Sequence, residues 1–267
     1  MKTIEVTDNG IIADFFTDDA VQLNKAIIML GGSEGGKSWS RIKRPIEYLV
    51  QKGYAVLSLA YFKEKGLPNS LEEIPLEYFE KAFHWLSKQT GIAADEYAIL
   101  GGSKGAEAGL VLGSKYPQVK AVIALSPSNV VWQGIPHNRF EIGKDIKSSW
   151  TSQGEGLPFL AYPNSIKNLD LLLLRLRKMH EEALQKTSCV KAAAIQVEDI
   201  QGAILLISGQ QDRMWPAASM GKAIMERLET QNFDYRYEHK TYATGHNGII
   251  MNRDCWRKIG DFLDENF

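Results

Sequence analysis

Short runs of consecutive apolar residues recur along this chain and constrain its fold more than any other feature. They lie at residues 26–30, 54–60, 97–100, 121–125 and 203–208. A strand shows such a run when both of its faces are buried, as in a parallel sheet covered by helices on both sides. Apolar residues at helical spacing fill most of the intervals, over about residues 38–51, 76–88, 103–116 and 217–229. This alternation predicts the α/β class, with a mostly parallel, doubly wound sheet.

Both ends of the chain extend the pattern. Residues 4–6 and 11–16 flank an Asp8-Asn9-Gly10 turn, which predicts a hairpin. A strand at 235–242 is followed by a last helix that ends near Phe267. No shift in composition marks a boundary, so we expect one domain over residues 1–267.

One stretch interrupts the alternation, at about residues 127–200, and we interpret it as an insertion that caps the sheet. Between residues 165 and 186, five apolar residues occur at helical spacing, namely Leu169, Leu172, Leu176, Met179 and Ala183. The stripe predicts a helix over the C-terminal edge of the sheet. A helix that packs on the body of the domain and contacts no substrate would show the same stripe, and the sequence leaves this choice open.

The composition excludes several classes of protein. The 267 residues carry a formal net charge of -1, so we expect no basic surface for nucleic acid or for an anionic membrane. The first residues lack the apolar segment of a secretory signal, and no stretch is typical of a membrane span, so we expect a cytoplasmic protein. The two cysteines, Cys189 and Cys255, predict neither a disulfide framework nor a zinc site. We expect no cofactor and no metal.

The pentapeptide Gly101-Gly102-Ser103-Lys104-Gly105 follows the strand at 97–100 and begins a helix of small residues. This is the setting of a GxSxG nucleophile elbow, in which a serine sits on a tight, strained turn and the residues two positions away must be nearly without side chains. The backbone N–H of the next residue, Lys104, then faces the site as a donor to an oxyanion. The motif predicts Ser103 as a nucleophile, although an ordinary strand-to-helix loop can match it by chance.

A serine nucleophile needs a base, and a carboxylate that orients the base. Asp212 follows the strand at 203–208, and His246 lies on a small-residue loop after the strand at 235–242. Alone, each has a common structural explanation, as a turn former or a loop histidine. Together they occur in the order of the α/β-hydrolases and predict a triad of Ser103, Asp212 and His246. The other histidines lie in a predicted helix (His84), in the insertion (His137, His180) or within the last strand (His239).

Residues 31–36, Gly-Gly-Ser-Glu-Gly-Gly, follow the first apolar strand. In this interpretation the loop supplies a second oxyanion donor, and by position we expect it to be the backbone amide of Ser33 or Glu34. Continued by Lys37 and Ser38, the same loop also matches the Walker A pattern of phosphate-binding loops. We prefer the oxyanion role because a nucleotide-binding loop leaves the triad unexplained.

Several further segments are more specific than the GxSxG pattern. They are Gly31-Gly32, residues 57–62, Leu67-Pro68, residues 76–80, the Gly-Ser-Lys-Gly-Ala-Glu run at 102–107, and the segments around Asp212 and Gly245-His246. In these segments the chain resembles the α/β-hydrolase superfamily. It resembles more closely the dienelactone-hydrolase-like C-terminal catalytic domain of acyl-CoA thioesterases and bile acid-CoA:amino acid N-acyltransferases. The resemblance extends over most of the chain.

The resemblance implies acyl transfer from a thioester, with Ser103, Asp212 and His246 at the triad positions. Acyltransferase members of the family use cysteine as nucleophile, so the serine here favours hydrolysis. Because the catalytic domain uses the whole chain, we do not expect the N-terminal β-sandwich domain of the mammalian members. The expected partner is a small acyl thioester or ester. Three alternatives remain, namely an oxygen-ester hydrolase with the same triad, a binding protein that has lost turnover, and a nucleotide hydrolase built on Lys37.

Overall fold

A central sheet of mostly parallel strands organises the fold. The computed structural model describes residues 1–23, 25–93, 95–163, 168–173 and 175–267. In chain order the strands are β1 (Lys2–Val6), β2 (Ile12–Thr17), β3 (Lys25–Leu30), β4 (Tyr54–Ala60), β5 (Ile74–Pro75), β6 (Tyr97–Gly102), β7 (Val119–Leu125), β8 (Trp150–Ser152), β9 (Glu155–Gly156), β10 (Ala203–Gly209) and β11 (Tyr237–Tyr242). The helices are α1 (Lys43–Gln51), α2 (Glu77–Leu86), α3 (Lys104–Lys115), α4 (Asn168–Leu172), α5 (Arg177–Leu184), α6 (Thr187–Ala193), α7 (Ala217–Thr230) and α8 (Arg253–Asn266). Within the described residues, the central sheet has the strand order β1-β2-β4-β3-β6-β7-β10-β11, and β5, β8 and β9 form a small second sheet.

The strand directions bring the predicted functional loops to one edge of the sheet. β1 and β2 form the predicted antiparallel hairpin, and β2 also pairs antiparallel with β4. From β4 through β3, β6, β7 and β10 to β11, neighbouring strands run parallel. Their carboxyl ends therefore share an edge, and the strand order reverses at β3. Such a reversal leaves a crevice where ligands bind in open α/β sheets. The predicted α/β fold with a mostly parallel, doubly wound sheet is confirmed.

Both faces of the sheet are buried, which explains the continuous apolar runs. In β6, Tyr97 and Ile99 belong to one core, which includes residues of α2 and α3. Ala98 and Leu100 belong to the core on the other face, with residues of α1 and α8. Successive side chains of a strand point to opposite faces, so each strand contributes to both cores. The strand ends that carry the functional loops are thus held by packing on two sides.

The chain leaves the central sheet between β7 and β10, where the sequence predicts an insertion. This stretch contains β8 and β9, outside the central sheet, and the three short helices α4 to α6. β8 pairs with β5, which precedes α2. Buried side chains of the stretch share a small core with α7, among them Trp132 and Tyr162 from the insertion and Met220 from the helix. The insertion is therefore packed on α7 through a small apolar core that the two share.

The single helix predicted over residues 165–186 is wrong, because the structure has α4 and α5 instead. Residues 165–167 and 174 of that prediction lie outside the described residues. At the start of α5 the amide of Arg177 donates to the carbonyl of Arg213, 2.9 Å away in the loop after β10. Among the residues that the structure describes, the Arg177 amide is thus bonded to the loop after β10 and to no carbonyl of α4.

Only part of the predicted apolar stripe is buried. Met179 and Ala183 of α5 belong to the core shared with α7, whereas Leu169 and Leu172 of α4 are 62% and 64% exposed. The segment that packs is the one whose start is bonded to the loop after β10. Among the described residues, none of the helices has the length and apolar character that crossing a membrane requires.

Candidate active site

Ser103 lies at the turn between β6 and α3, with backbone angles φ 56° and ψ -118°. A positive φ is uncommon for a residue with a side chain, and such strain costs on the order of 1–3 kcal/mol. Backbone hydrogen bonds of Ser103 stabilise the turn. The amide of Ser103 donates to the carbonyl of Leu125, 2.8 Å away at the end of β7, and its carbonyl accepts from the amides of Ala106 and Glu107. Ser103 therefore occupies a strained strand-to-helix turn, as the pentapeptide predicts.

The glycines on either side of this turn are required by close backbone contacts. A Cβ on Gly101 would lie 2.0 Å from the carbonyl oxygen of Gly105. A Cβ on Gly105 would lie 2.2 Å from the carbonyl oxygen of Leu30 and 2.4 Å from that of Gly31. These separations are shorter than real Cβ atoms show, so a side chain at either position would displace backbone. The small residues also let the elbow contact the end of β3.

Asp212 and His246 lie beside each other at the carboxyl ends of β10 and β11. Asp212 Oδ2 is 2.6 Å from His246 Nδ1, and the Asp212 side chain is fully buried. Its other oxygen, Oδ1, accepts from the amides of Met214 at 2.8 Å and Trp215 at 3.2 Å. A carboxylate only accepts, so Nδ1 carries the proton and Nε2 is left as the proton acceptor of a neutral ring. The structure brings the predicted acid and base together in the arrangement that a proton-transferring histidine needs.

Ser126, which the sequence reading missed, connects the nucleophile turn with the histidine loop. It directly follows β7 and has a positive φ of 53°. Its Oγ donates to the carbonyl of His246 at 3.2 Å, and its amide donates to the carbonyl of Ile207 in β10 at 2.8 Å. The preceding residue, Leu125, accepts from the Ser103 amide. A polar residue immediately after the apolar run at 121–125 was the signal available in the sequence.

Trp215 supports His246 from the side of the insertion. The two rings meet edge to face with centroids 5.9 Å apart, and Trp215 also contacts His180 of α5 at 5.8 Å. His180 Nδ1 is bonded to the carbonyl of Leu176, and burial lowers the pKa of His180 to about 4, so its ring is neutral near pH 7. This histidine is thus a packed residue of the core, and its neutral ring makes it no competitor of His246 in the predicted triad. His239 lies within β11, where it bonds Ser208.

The loop at residues 31–36 lies directly beside the elbow. A Cβ on Gly32 would be 3.1 Å from the Cβ of Ser103. The Glu34 side chain folds back over the loop, and its Oε1 accepts from the Gly32 amide at 2.9 Å. Within the described part of the chain, the amides of Ser33, Glu34 and Lys104 are bonded to no protein acceptor. The Gly32 amide is therefore occupied, whereas the predicted oxyanion donors keep free N–H groups.

Large side chains hold the start of this loop. Trp39 Nε1 donates to the carbonyl of Leu30 at 2.9 Å, and Tyr61 Oη donates to the carbonyl of Gly31 at 2.5 Å. Tyr61 is buried, which raises the pKa of its hydroxyl well above the ordinary value and keeps it a donor. Donors on both carbonyls fix the backbone path that brings the loop to Ser103.

The Walker A alternative is not supported by the position of Lys37. Its Nζ is 2.7 Å from Asp14 Oδ1 and 3.1 Å from Glu5 Oε1. In a phosphate-binding loop this ammonium reaches the bound phosphates. Here it is bonded to carboxylates of the hairpin strands, so the loop lacks the free lysine that the pattern requires.

Comparison with known proteins shows the family of the chain. Residues 74–249 match the family BAAT / Acyl-CoA thioester hydrolase C terminal. Acyl-coenzyme A thioesterase 2, mitochondrial, from Mus musculus is 27% identical over 230 residues, which cover 86% of this chain and 46% of that protein. Acyl-coenzyme A amino acid N-acyltransferase 1 from Mus musculus is 41% identical over 78 residues, or 29% of this chain and 19% of that one. The chain spans about half the length of the curated thioesterases it matches.

Solved structures show the same fold at low sequence identity. The dienelactone hydrolase from Anabaena variabilis superposes with a TM-score of 0.56 at 14% identity, and the match covers 99% of this chain and 95% of that one. The predicted resemblance to an α/β-hydrolase enzyme is thus confirmed for family and fold. The family match over residues 74–249 covers more than half of the sequence, and the chain therefore belongs to the BAAT / acyl-CoA thioester hydrolase C-terminal family.

Proposed function

We propose that this protein is a serine hydrolase that cleaves acyl thioesters through an acyl-enzyme on Ser103. The observation that carries the proposal is the strained backbone of Ser103, φ 56° and ψ -118°, at the start of α3. Strain of this kind persists where the surrounding structure enforces it, and it clusters at reactive groups. The Asp212–His246 contact and the free amides beside the serine support the same chemistry.

In the first half-reaction, His246 Nε2 takes the proton of the Ser103 hydroxyl as Oγ attacks the thioester carbonyl carbon. Asp212 keeps His246 in the tautomer with a free Nε2 and stabilises the imidazolium. The negative charge on the substrate oxygen is stabilised by the amide of Lys104 and by that of Ser33 or Glu34. The C–S bond then breaks, and His246 returns the proton to the departing sulfur.

In the second half-reaction, water replaces the thiol. His246 takes a proton from the water while the water oxygen attacks the acyl carbon. The bond from that carbon to Ser103 Oγ then breaks. The proton returns to Oγ and the carboxylic acid leaves. Thioester specificity rests on the family, which includes thioester hydrolases, and the serine nucleophile favours water over an amine as acceptor.

A labelling experiment and a substrate panel test this proposal. A fluorophosphonate should label the wild-type protein at one site, and Ser103→Ala should abolish the label. Ser114→Ala is the matched control, because this serine lies on the same helix and bonds the carbonyl of Val111. Labelling that survives in Ser103→Ala would contradict the assignment of the nucleophile.

The panel compares CoA thioesters of graded acyl length with p-nitrophenyl esters of the same acids. We expect higher kcat/KM values for the thioesters. Faster turnover of the oxygen esters would contradict the thioesterase assignment and would indicate a carboxylesterase that uses the same triad. Absence of turnover with both classes would support the alternative of a binding protein on a hydrolase scaffold.

A further inference from the structure

The proposed reaction uses the hydroxyl of Ser103 and the amide of Lys104, but it leaves two charged side chains of the elbow helix without a role. These belong to Lys104 and Glu107, which are 2% and 0% exposed. Lys104 Nζ and Glu107 Oε1 are 2.6 Å apart. Ionised side chains are almost never fully buried unless they are paired. A buried ion pair one residue after a nucleophile therefore needs an explanation.

Both side chains are bonded to the insertion between β7 and β10. Glu107 Oε1 accepts from the indole Nε1 of Trp150 at 2.8 Å and from the amide of Trp132 at 3.2 Å. Lys104 Nζ donates to Ser149 Oγ at 2.8 Å, and that hydroxyl donates to the carbonyl of Trp132 at 2.9 Å. Two separate segments of the insertion thus converge on one ion pair of the elbow helix.

Stability alone does not account for this arrangement. Burial raises the pKa of Glu107 and lowers that of Lys104, because each charge has lost water. Within the described residues, Glu107 Oε2 has no hydrogen-bond partner. Buried ion pairs are often no more stabilising than well-packed apolar residues of similar size. What apolar residues cannot supply is the set of directional bonds to the insertion.

The segment that carries Trp150 also borders the proposed oxyanion loop. The rings of Trp150 and Tyr61 are 5.7 Å apart, and Tyr61 Oη is bonded to the carbonyl of Gly31. The ring of Trp150 also lies over Lys104, with Nζ 5.5 Å from its centroid. The side chain of Tyr61 therefore connects the insertion to the loop beside Ser103.

The segment that carries Trp132 borders the base from the other side. The ring of Trp132 meets His180 edge to face at 4.7 Å, and His180 in turn contacts Trp215, the ring that packs on His246. The two segments held by Glu107 thus flank both the oxyanion side and the histidine side of the proposed site.

We propose that Glu107 is a positioning residue that clamps the insertion against the elbow helix and thereby sets which acyl groups fit beside Ser103. The inference rests on the proposed function, because it assigns the insertion as the wall of the acyl site. Lys104 balances the charge of Glu107 and links the clamp to Ser149.

The test compares two variants of the clamp with a matched control. Glu107→Gln keeps an acceptor oxygen but removes the charge that binds Lys104. Trp150→Phe removes the indole N–H donor together with part of the buried ring, but it keeps both residues of the ion pair, so it decides the matter if Glu107→Gln does not fold. The control is Glu198→Gln, which removes a carboxylate that binds Arg227 of α7. Within the described residues, Glu198 is bonded to neither Lys104 nor Glu107.

Selectivity is the readout, because loss of stability alone does not change it. Inactivation rates are measured with alkyl fluorophosphonates of short and long chain, and kcat/KM with CoA thioesters of short and long acyl chain. We expect both clamp variants to shift the long-to-short ratio by about tenfold or more, the scale of one lost hydrogen bond to a charged group. Glu198→Gln should leave the ratio unchanged.

An unchanged ratio in folded clamp variants would overturn the clamp, as would an equal shift in Glu198→Gln. The failure of the proposed function has a different signature, since the wild-type protein would then turn over no thioester. In that case the two fluorophosphonates still report on the clamp, because they need only a reactive Ser103.

Discussion

Gly105 of the elbow helix lies directly against Leu30, the last residue of β3, so that a Cβ on Gly105 would be 2.2 Å from the Leu30 carbonyl oxygen. This contact joins the helix that follows the nucleophile, α3, to β3, the strand that precedes the proposed oxyanion loop. Trp39 holds the same carbonyl from the other side, with Nε1 2.9 Å away. The distance between the two proposed oxyanion elements is therefore fixed by backbone packing.

Gly105→Ala tests this relationship. The methyl group meets backbone atoms, which can move apart only by separating α3 from β3. Overpacking of this kind costs about 1–3 kcal/mol of unfolding free energy, and a displacement of about 1 Å at a reacting group costs roughly a hundredfold in rate. Urea unfolding and the rate of fluorophosphonate labelling measure the two effects.

The control is Gly156→Ala in β9, where the nearest atom to an added Cβ is a side-chain atom of Ser148 at 3.6 Å. This variant should keep wild-type stability and labelling. If Gly105→Ala behaves like Gly156→Ala, the elbow and the oxyanion loop are not coupled by close packing.

Asp212→Asn tests the orientation of the base. An asparagine presents an N–H toward His246 or accepts more weakly, so the proton on Nδ1 is no longer enforced and Nε2 loses its role as acceptor. By analogy with other triads, kcat should fall by about 10⁴-fold while the fold is retained. Steady-state kinetics on the best thioester measures this, with the exposed Asp234→Asn as control. A loss below tenfold would mean that Asp212 does not orient the base.

His180 predicts a pH dependence of stability. Burial lowers its pKa from 6.5 to about 4. Between those values the unfolded chain binds a proton that the folded chain does not, so the free energy of unfolding falls as pH decreases from 6.5 toward 4. The full contribution over this window is about 3 kcal/mol.

Urea unfolding of the wild-type protein and His180→Gln at several pH values between 7 and 4 checks this expectation. The variant lacks the titrating ring and should lose less stability over the window. Parallel curves for the two proteins would show that His180 is not held in its neutral form by burial.

The sequence was sufficient for the features that depend on local pattern. Continuous apolar runs gave the buried strands, and the elbow glycines were predicted because Gly101 and Gly105 stand two positions from Ser103. The chain order of Asp212 and His246, each just past a strand, predicted a pair that the structure places 2.6 Å apart. Parallel strands explain this success, because their carboxyl ends share an edge.

Features that depend on distant partners were missed. The roles of Glu107 and Ser126 follow from contacts with residues far along the chain, such as Trp150 and His246, which no local pattern reports. The break between α4 and α5 likewise depends on the bond from Arg177 to the loop after β10. In each case a hydrogen bond to a residue far along the chain decides the local structure, and the spacing of apolar residues does not report such bonds.

Direct detection of the acyl-enzyme tests the central claim most sharply. The protein is mixed with a CoA thioester, quenched in acid within the first turnovers, digested, and analysed by mass spectrometry. The proposed mechanism predicts the acyl mass on the peptide that contains Ser103, and no acylated peptide in Ser103→Ala. Thioester turnover with the acyl group on another residue, or with full activity in Ser103→Ala, would contradict it.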